Sequence, residues 1–189
     1  KVPHENALFL LVLTCILKAV DEHADILRES AADVGNDHRL GADEAPPAII
    51  SVYLGDQLND VVDQLIQRGN ADHSLNGGKL ETGVSTLPNL PKDATDRNRT
   101  SPFAFTGNRF EFRAVGSSAN CAASIIALNA AVAHQLTQFK ADVDALIAKG
   151  KSKDESIFKV LKTLIIESKP VRFEGDGYSE EWRKEAEKR

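Results

Sequence analysis

The chain has 189 residues, of which 42% are hydrophobic and 27% charged, a composition typical of a globular domain with a sizeable core. Its formal net charge of −5 argues against nucleic acid as the main partner, because nucleic-acid-binding surfaces are basic. Cys15 and Cys121 show neither metal-ligand spacing nor a disulfide framework, which favours the cytoplasm. The apolar run from Ala7 to Leu17 is too short to span a membrane, so we expect a buried helix and no membrane partner.

Both ends of the sequence indicate an excerpt of a longer protein. The chain contains no methionine and opens directly on Lys1-Val2-Pro3. It stops within the charged helical segment 180–189, without a terminating signal. We therefore expect residues 1–189 to be part of a domain that is truncated at both ends.

Hydrophobic periodicity predicts two long helices in the first part of the chain. The first is expected from about His4 to Ser30 and the second from about Ala48 to Arg68, with Gly69 as its C-terminal cap. Between them, Gly35–Pro47 is predicted to be a compact loop, because the double proline at its end disfavours helix immediately before it.

The middle of the chain is predicted to be irregular and then extended. Residues 70–98 are polar and rich in glycine and proline, which indicates a surface loop or insertion, with room for a short hairpin. The segments Arg99–Phe105 and Arg109–Val115 are predicted to be two strands joined by a turn at Thr106-Gly107-Asn108.

The last part of the chain is predicted to be mainly helical. A third long helix is expected from about Asn120 to Lys149, and the capping box Ser152–Glu155 opens a fourth that runs to about Ser168. A short extended piece, Val171–Phe173, precedes a final helix from Ser179. The predicted fold class is α+β, with few antiparallel strands packed against long helices.

The run Arg109-Phe110-Glu111-Phe112-Arg113 alternates charged and aromatic residues, so a strand places its three charges on one face. Arginine forks suit carboxylate and phosphate oxygens, and a carboxylate between two arginines can hold a divalent cation. A solvated strand face over a phenylalanine core would show the same pattern, so both interpretations stay open.

Two further segments carry charges that a packed domain does not need. The loop Asn36–Pro47 holds several acids together with Arg39, and the segment Asp96–Phe103 holds Arg97 and Arg99 close to the strand face. The arginines indicate either a small anionic ligand or a ladder of salt bridges, and surface turns with incidental charges are the alternative for the loop.

The histidines are weaker candidates. His38, in the first loop, is interpreted as a hydrogen-bonded loop residue rather than a metal ligand. The other four have no partners at ligand spacing in the sequence, and we assign no role to His4, His23, His73 and His134.

In several segments the chain resembles glutamine synthetase, most closely the type III enzymes. These segments are Asn36–Ile50, Asn98–Gly107, Arg109–Arg113 and Gly175–Trp182. The resemblance covers nearly the whole chain, and several motifs in the same order are more specific than any one of them. It implies that residues 1–189 are part of a glutamine synthetase catalytic domain.

The resemblance implies ATP-dependent ligation of ammonia to the γ-carboxylate of L-glutamate through γ-glutamyl phosphate. It implies ATP and Mg²⁺ or Mn²⁺ as cofactors, with glutamate and ammonium as substrates. It also implies a cytoplasmic homo-oligomer, a dodecamer of two hexameric rings. The excerpt alone is expected to be inactive, because the family's other metal-binding residues lie upstream of Lys1.

By the same resemblance, four residues near the strand receive roles. Glu111 is implied as a metal ligand, and Arg113 as a partner of the glutamate carboxylate and the arriving phosphoryl group. Arg109 is implied as a nucleotide-binding arginine, and Arg99 as the residue that stabilises the transferring γ-phosphate.

In the first loop, Arg39 is implied as the clamp on the substrate α-carboxylate. Glu44 is implied as the acid of a flap that closes over the site and binds or deprotonates ammonium. The chain departs from type I enzymes at Ala104, where those enzymes have a second arginine, so no role is transferred to that position.

Two other functions compete with the ligase. A non-catalytic glutamine-synthetase-like protein could bind nucleotide or glutamate and act through partners. If the chain were a plain structural or interaction domain, all of these motifs would have to be accidental.

Overall fold

The computed structural model describes residues 3–39, 49–75, 78–80, 83–84, 86, 88, 90–91, 101–172 and 179–188. Its α-helices are α1 Ala7–Glu22, α2 Ala24–Ser30, α3 Val34–Arg39, α4 Asp56–Arg68, α5 Ala122–Ala148, α6 Lys153–Glu167 and α7 Glu180–Ala186. Short 3₁₀ helices cover Pro3–Glu5 and Lys169–Arg172. None of the helices within these ranges is long and apolar enough to cross a membrane.

Five short strands form two small sheets. They are β1 Val52–Tyr53, β2 Lys79–Leu80, β3 Leu90–Pro91, β4 Phe103–Phe105 and β5 Phe110–Phe112. The larger sheet has the order β1-β4-β5, in which β4 pairs in parallel with β1 and antiparallel with β5. The predicted α+β class is confirmed, and the sheet is mixed rather than antiparallel throughout.

The core lies where α1 packs against α5 and α6, next to the larger sheet. Leu13, Leu17 and Val20 of α1 are almost completely buried. Burial against α5, α6 and the sheet explains most of the apolar run in the sequence, although Leu8 and Val12 of the same run are exposed.

The prediction is confirmed most closely in the last part of the chain. The third and fourth predicted helices correspond to α5 and α6 with ends shifted by one or two residues. Ser152 caps α6 as expected, since its Oγ accepts a hydrogen bond from the backbone N–H of Glu155 at 3.2 Å. The final predicted helix is present as α7.

The first predicted helix is wrong in its continuity. The chain breaks at His23, with φ −117° and ψ 27°, so that α1 and α2 are separate helices. The predicted loop after them begins instead with α3, and the side-chain carboxylate of Asp33 accepts the backbone N–H of Asn36 at 3.0 Å in its first turn. The rest of that loop, 40–48, is outside the described residues.

The second predicted helix begins eight residues too early. Instead of helix, β1 lies just before Gly55, whose φ of 79° suits glycine. The apolar run Ile49–Leu54 is largely buried, and a short buried strand and a buried helix cannot be distinguished by periodicity. The cap at Gly69 is confirmed, with φ 80° and its N–H on the carbonyl of Leu65.

Two further segments differ in detail. The predicted extended piece at Val171 is wrong, because the 3₁₀ helix Lys169–Arg172 covers it, and Phe173 is outside the described residues. Within 70–98, β2 and β3 form an antiparallel pair, as a short hairpin requires. That this segment is an insertion, and that 1–189 is part of one catalytic domain, stay predictions.

Candidate functional site

The three alternating charges form the charged face of β5, which we define as Arg109, Glu111 and Arg113. Glu111 lies between the two arginines and has an ion pair with each. Its Oε2 accepts hydrogen bonds from Arg113 Nη2 at 3.0 Å and Nε at 3.2 Å. Its Oε1 is 3.8 Å from Arg109 Nε. The predicted alternation therefore places all three groups together.

The opposite face of the hairpin is aromatic and fixes the orientation of the charged face. The rings of Phe103 and Phe110 stack with centroids 5.0 Å apart and planes inclined by 8°. Phe105 and Phe112 add tilted contacts, and Phe9 of α1 packs on Phe105. A register slip of one residue would bury the charges, so this aromatic cluster strongly selects the observed pairing.

Exposure changes along the charged face. The side chain of Arg109 is 73% exposed, that of Glu111 40% and that of Arg113 20%. Nη1 of Arg113 is buried and has no hydrogen-bond partner within the described part of the chain. A buried donor without an acceptor is unfavourable, and a bound carboxylate or phosphate oxygen would supply that acceptor.

The sheet topology brings two motif segments to the Arg113 end of β5. Because β1 and β4 are parallel, both begin at the same sheet edge, and antiparallel β5 ends there. Ser101 Oγ donates a hydrogen bond to the carbonyl of Ser51 at 2.6 Å, and the N–H of Arg113 donates to the carbonyl of Pro102 at 2.6 Å. Ser51 and Ser101, which follow segments 40–48 and 92–100 in the chain, therefore lie at the Arg113 end of the sheet.

Those segments carry two of the predicted site residues, Glu44 and Arg99, which are outside the described residues. Arg39 ends α3, and its side chain is likewise outside the described part. The same holds for the side chain of His38. Their implied roles stay predictions.

Asn36 connects α3 to the end of β5, a role that the sequence did not reveal. Its side-chain Nδ2 donates to the carbonyls of Ala31 at 2.6 Å and Ala114 at 2.7 Å. Asn36 is buried, so these bonds are shielded from water. They hold α3, which ends at Arg39, beside Ala114, the residue after Arg113. The sequence signal was only its place as the first residue of a motif.

Arg109 lies at the other end of β5, beside the turn that follows β4. It lies four positions before Arg113 along the strand, which corresponds to about 13 Å. Ala104 pairs with Glu111 across the ladder and is fully buried. The position therefore has no space for the arginine of type I enzymes, which gives a physical reason for transferring no role to it.

The charged face fits a phosphate-bound Mg²⁺ or Mn²⁺ ion. Such ions often bind through only one or two carboxylates and complete their shells with water and phosphate oxygens. Glu111 supplies one carboxylate, and next to it Arg113 supplies a donor, Nη1, that has no acceptor among the described residues and could bind an anion. Oε2 of Glu111 keeps its two hydrogen bonds to Arg113, and Oε1, 3.8 Å from the exposed Arg109 Nε, is the oxygen that would bind the ion.

One group of side chains contradicts the sequence interpretation. His23 and His134 lie close together with Glu22, and one ligand atom from each falls within 4.8 Å of the others. The sequence spacing gave these two histidines no ligand partners and no role, whereas helix packing joins His23 and His134 from positions far apart in the sequence.

Comparison with known proteins supports the resemblance. Residues 156–189 match the glutamine synthetase C-terminal domain model. The whole chain is 55% identical over 191 residues to a glutamine synthetase of Bacteroides fragilis (strain YCH46). It is 50% identical over 188 residues to a type-3 glutamine synthetase of Dictyostelium discoideum, and 43% identical over 194 residues to a glutamine synthetase of Butyrivibrio fibrisolvens.

These matches cover 99–100% of this chain but only 25–26% of each relative. The chain thus spans about a quarter of the length of the curated relatives it matches. Identity at this level over all of its residues, together with the domain match, shows that the chain belongs to the glutamine synthetase family.

Proposed function

We propose that the protein containing this chain is an ATP-dependent glutamate–ammonia ligase, and that the charged face of β5 forms one wall of its active site. The observation that supports the proposal is Nη1 of Arg113, which is buried and without a hydrogen-bond partner among the described residues, at the sheet edge where β1 and β4 begin and β5 ends. A donor held there is suited to an anionic substrate. The names of the relatives, all glutamine synthetases, supply the reaction class.

Arg113 is assigned to the γ-carboxylate of glutamate and to the phosphoryl group as it arrives. Its guanidinium is already oriented by two hydrogen bonds to Glu111, at 3.0 and 3.2 Å, so little rotamer freedom is lost when an anion binds. Preorganised donors of this kind stabilise developing charge at low reorganisation cost.

Glu111 is assigned to Mg²⁺ or Mn²⁺ binding at the phosphates. When bound, the ion neutralises phosphate charge and supports in-line displacement. The same carboxylate also orients Arg113: Oε2 of Glu111 pairs with Arg113, while Oε1 faces Arg109.

The reaction has two balanced steps. First, a γ-carboxylate oxygen of glutamate forms a bond to the γ-phosphorus of ATP as the bond to ADP breaks, giving γ-glutamyl phosphate. Ammonia then forms a C–N bond as the C–O bond to phosphate breaks, and phosphate leaves. In this scheme Arg99 stabilises the transferring phosphate and Arg109 contacts the nucleotide.

The two remaining residues act on the amino acid and on ammonium. Arg39 clamps the α-carboxylate of glutamate, and Glu44 closes over the site and accepts the proton that ammonium loses. Closure protects the acyl phosphate from water. The attachment of α3 through Asn36 supports this assignment, because it holds the chain that leads to Arg39 near Arg113.

We further propose a cytoplasmic homo-oligomer, a dodecamer of two hexameric rings, as the resemblance implies. Both cysteines are free thiols, which agrees with a reducing compartment. Light scattering of the full-length protein tests the assembly, and a monomer would contradict it.

The test of function uses the full-length protein with ATP, glutamate and Mg²⁺, with and without ammonium. Ammonium-dependent release of ADP and phosphate is expected. Nucleotide binding without that release would favour the non-catalytic regulator instead. Arg113→Ala should lose the activity, whereas Arg68→Ala, an exposed arginine paired with Asp72 at 3.3 Å, should retain it.

A further inference from the structure

We propose that Glu22, His23 and His134 form a binding site for a borderline divalent transition metal, Zn²⁺ being the test ion. One ligand atom from each residue lies within 4.8 Å of the other two. The group is built from the α1–α2 junction and α5, and it contains none of the residues of the charged face of β5. The proposal does not depend on the proposed ligase activity.

The break between α1 and α2 explains why two adjacent residues can bind one ion. In a continuous helix, neighbours along the chain point in different directions, about 100° apart. Glu22 ends α1, and His23 is both its C-terminal cap and the residue before α2. The non-helical backbone at His23 allows the two side chains to converge, which an unbroken helix would prevent.

His23 has an atom that needs a partner. Its ring Nε2 is buried and makes no hydrogen bond within the described part of the chain. Buried ring nitrogens normally donate or accept a hydrogen bond, because leaving one unpaired costs free energy. The ring lies next to that of His134, with centroids 5.5 Å apart and planes at 75°. A metal ion would give these imidazoles a common partner.

The two elements are held together independently of any metal. Ser124 at the start of α5 is buried, and its Oγ donates to the carbonyl of Ser30 at the end of α2, at 3.1 Å. The α1–α2 pair packs along α5. The site also lies at the C-terminal end of α1, where the helix dipole favours a cation. The ligands are therefore presented by a preformed frame.

The ligand set selects the class of metal. Two imidazoles and one carboxylate suit Zn²⁺, Co²⁺, Ni²⁺ or Cu²⁺ better than Mg²⁺, which prefers oxygen ligands. Zn–N distances of about 2.0–2.1 Å place tetrahedral ligands about 3.3 Å apart, so the three side chains must move closer by rotamer adjustment. Glu22 and His134 are exposed, which permits that adjustment and leaves a fourth position for water.

The test uses the full-length protein, stripped of metals and then titrated with Co²⁺ and Zn²⁺ in excess Mg²⁺, which occupies oxygen-rich sites. Tetrahedral Co²⁺ should give visible d–d absorption that Zn²⁺ abolishes. His134→Ala should abolish the binding of one metal equivalent per chain or weaken it by more than about tenfold. About tenfold is what the loss of an outer-shell partner can cost, so a larger effect indicates a direct ligand. Because His134 is exposed on a helix, alanine there should leave the fold intact.

His4→Ala is the matched control, since Nδ1 of His4 hydrogen-bonds with Ser74 Oγ at 2.7 Å and His4 belongs to no three-ligand group in the described residues. It should bind metal like the parent. Glu22→Gln should keep the site but weaken it, because an amide oxygen replaces a carboxylate. Equal metal uptake by the parent and His134→Ala, or no tetrahedral Co²⁺ signal in the parent, would overturn the proposal.

Discussion

Arg109 and Arg113 are the same residue type on the same face of one strand, yet their surroundings differ. Arg113 is 20% exposed and donates two hydrogen bonds to Glu111, whereas Arg109 is 73% exposed and lies 3.8 Å from the same carboxylate. Alternation along β5 sets the face, but the parallel pairing of β1 with β4 decides which end is enclosed. Topology therefore makes one arginine a candidate for anchoring substrate and leaves the other at the rim.

The largest expected effect is at the enclosed end. Arg113→Ala in the full-length protein should lower kcat by about 10³-fold or more, the range seen when an arginine that stabilises a transferring phosphoryl group is removed. Steady-state kinetics of ADP release measures it, and circular dichroism checks the fold. Arg68→Ala is the control. Wholesale unfolding of Arg113→Ala would instead identify the charged face as a structural salt-bridge ladder.

The shared partner of the two arginines can be changed without altering its shape. Glu111→Gln keeps the volume but removes the charge, so it should weaken Mg²⁺ or Mn²⁺ activation by about 10- to 100-fold or more. It should also loosen Arg113 more than Arg109, because Arg113 has the two short hydrogen bonds. The metal dependence of kcat tests this, and an unchanged dependence would exclude Glu111 as a ligand.

The parts of the fold that follow from local signals could be predicted from sequence. The capping box at Ser152 and the alternation in β5 each depend on residues a few positions apart, so α6 and the charged face were expected correctly. The apolar segment Ile49–Leu54 was assigned to helix because a short buried run has no decisive period.

Contacts between distant residues could not be predicted in this way. Nothing near Asn36 indicates that its side chain meets the carbonyl of Ala114, and nothing near His23 indicates His134. Both contacts require the packing of whole elements. The buried Nη1 of Arg113, for which the described residues offer no hydrogen-bond partner, is another such property, because it depends on what surrounds the strand rather than on the strand itself.

A substitution at Asn36 tests how much the position of α3 contributes to the site, separately from the enclosed end of β5. Asn36→Ala leaves the carbonyls of Ala31 and Ala114 without their donor, which should lower the free energy of unfolding by about 1–3 kcal/mol. KM for glutamate should rise several-fold, because the helix leading to Arg39 is less firmly held. Denaturant unfolding and kinetics measure the two effects.

The control for Asn36 is Asn6→Ala. Asn6 caps α1 by accepting the N–H of Phe9 at 3.0 Å, so its loss should cost about 1 kcal/mol of stability without changing KM. If both variants raised KM equally, the effect of Asn36 would reflect general destabilisation and not the position of α3.

The exposed end of β5 should respond weakly. Arg109→Ala removes a solvent-exposed cation, and exposed ion pairs are typically worth about 0.2–1 kcal/mol. Loss of its contact with the nucleotide should therefore raise KM for ATP by no more than about fivefold. The comparison with Arg113→Ala is the test. An effect as large as that of Arg113→Ala would mean that segments of the full protein enclose Arg109 as well.

The two cysteines give a second comparison between a buried and an exposed residue of the same type, and here the expected effect on activity is the smallest. Cys15 is fully buried, and burial raises its pKa from 9.0 to about 11, whereas Cys121 is exposed. Because thiolates are the reactive form, an alkylating agent at mildly alkaline pH should label Cys121 quickly and Cys15 only after unfolding. Peptide mass spectrometry measures this, and equal labelling would contradict the packing of α1.

The same burial has a defined pH dependence. The folded pKa of Cys15 lies above the unfolded value, so its contribution to stability is complete below pH 9.0 and is lost as the pH rises toward about 11. Cys15→Ala should flatten the stability curve in that window, and Cys121→Ala should not. α1 packs against α5, and its Phe9 packs against Phe105 on the aromatic face of the β4–β5 hairpin. If Cys15→Ala and Cys121→Ala had the same pH dependence of stability, α1 would not be buried in this way and could not orient the charged face of β5.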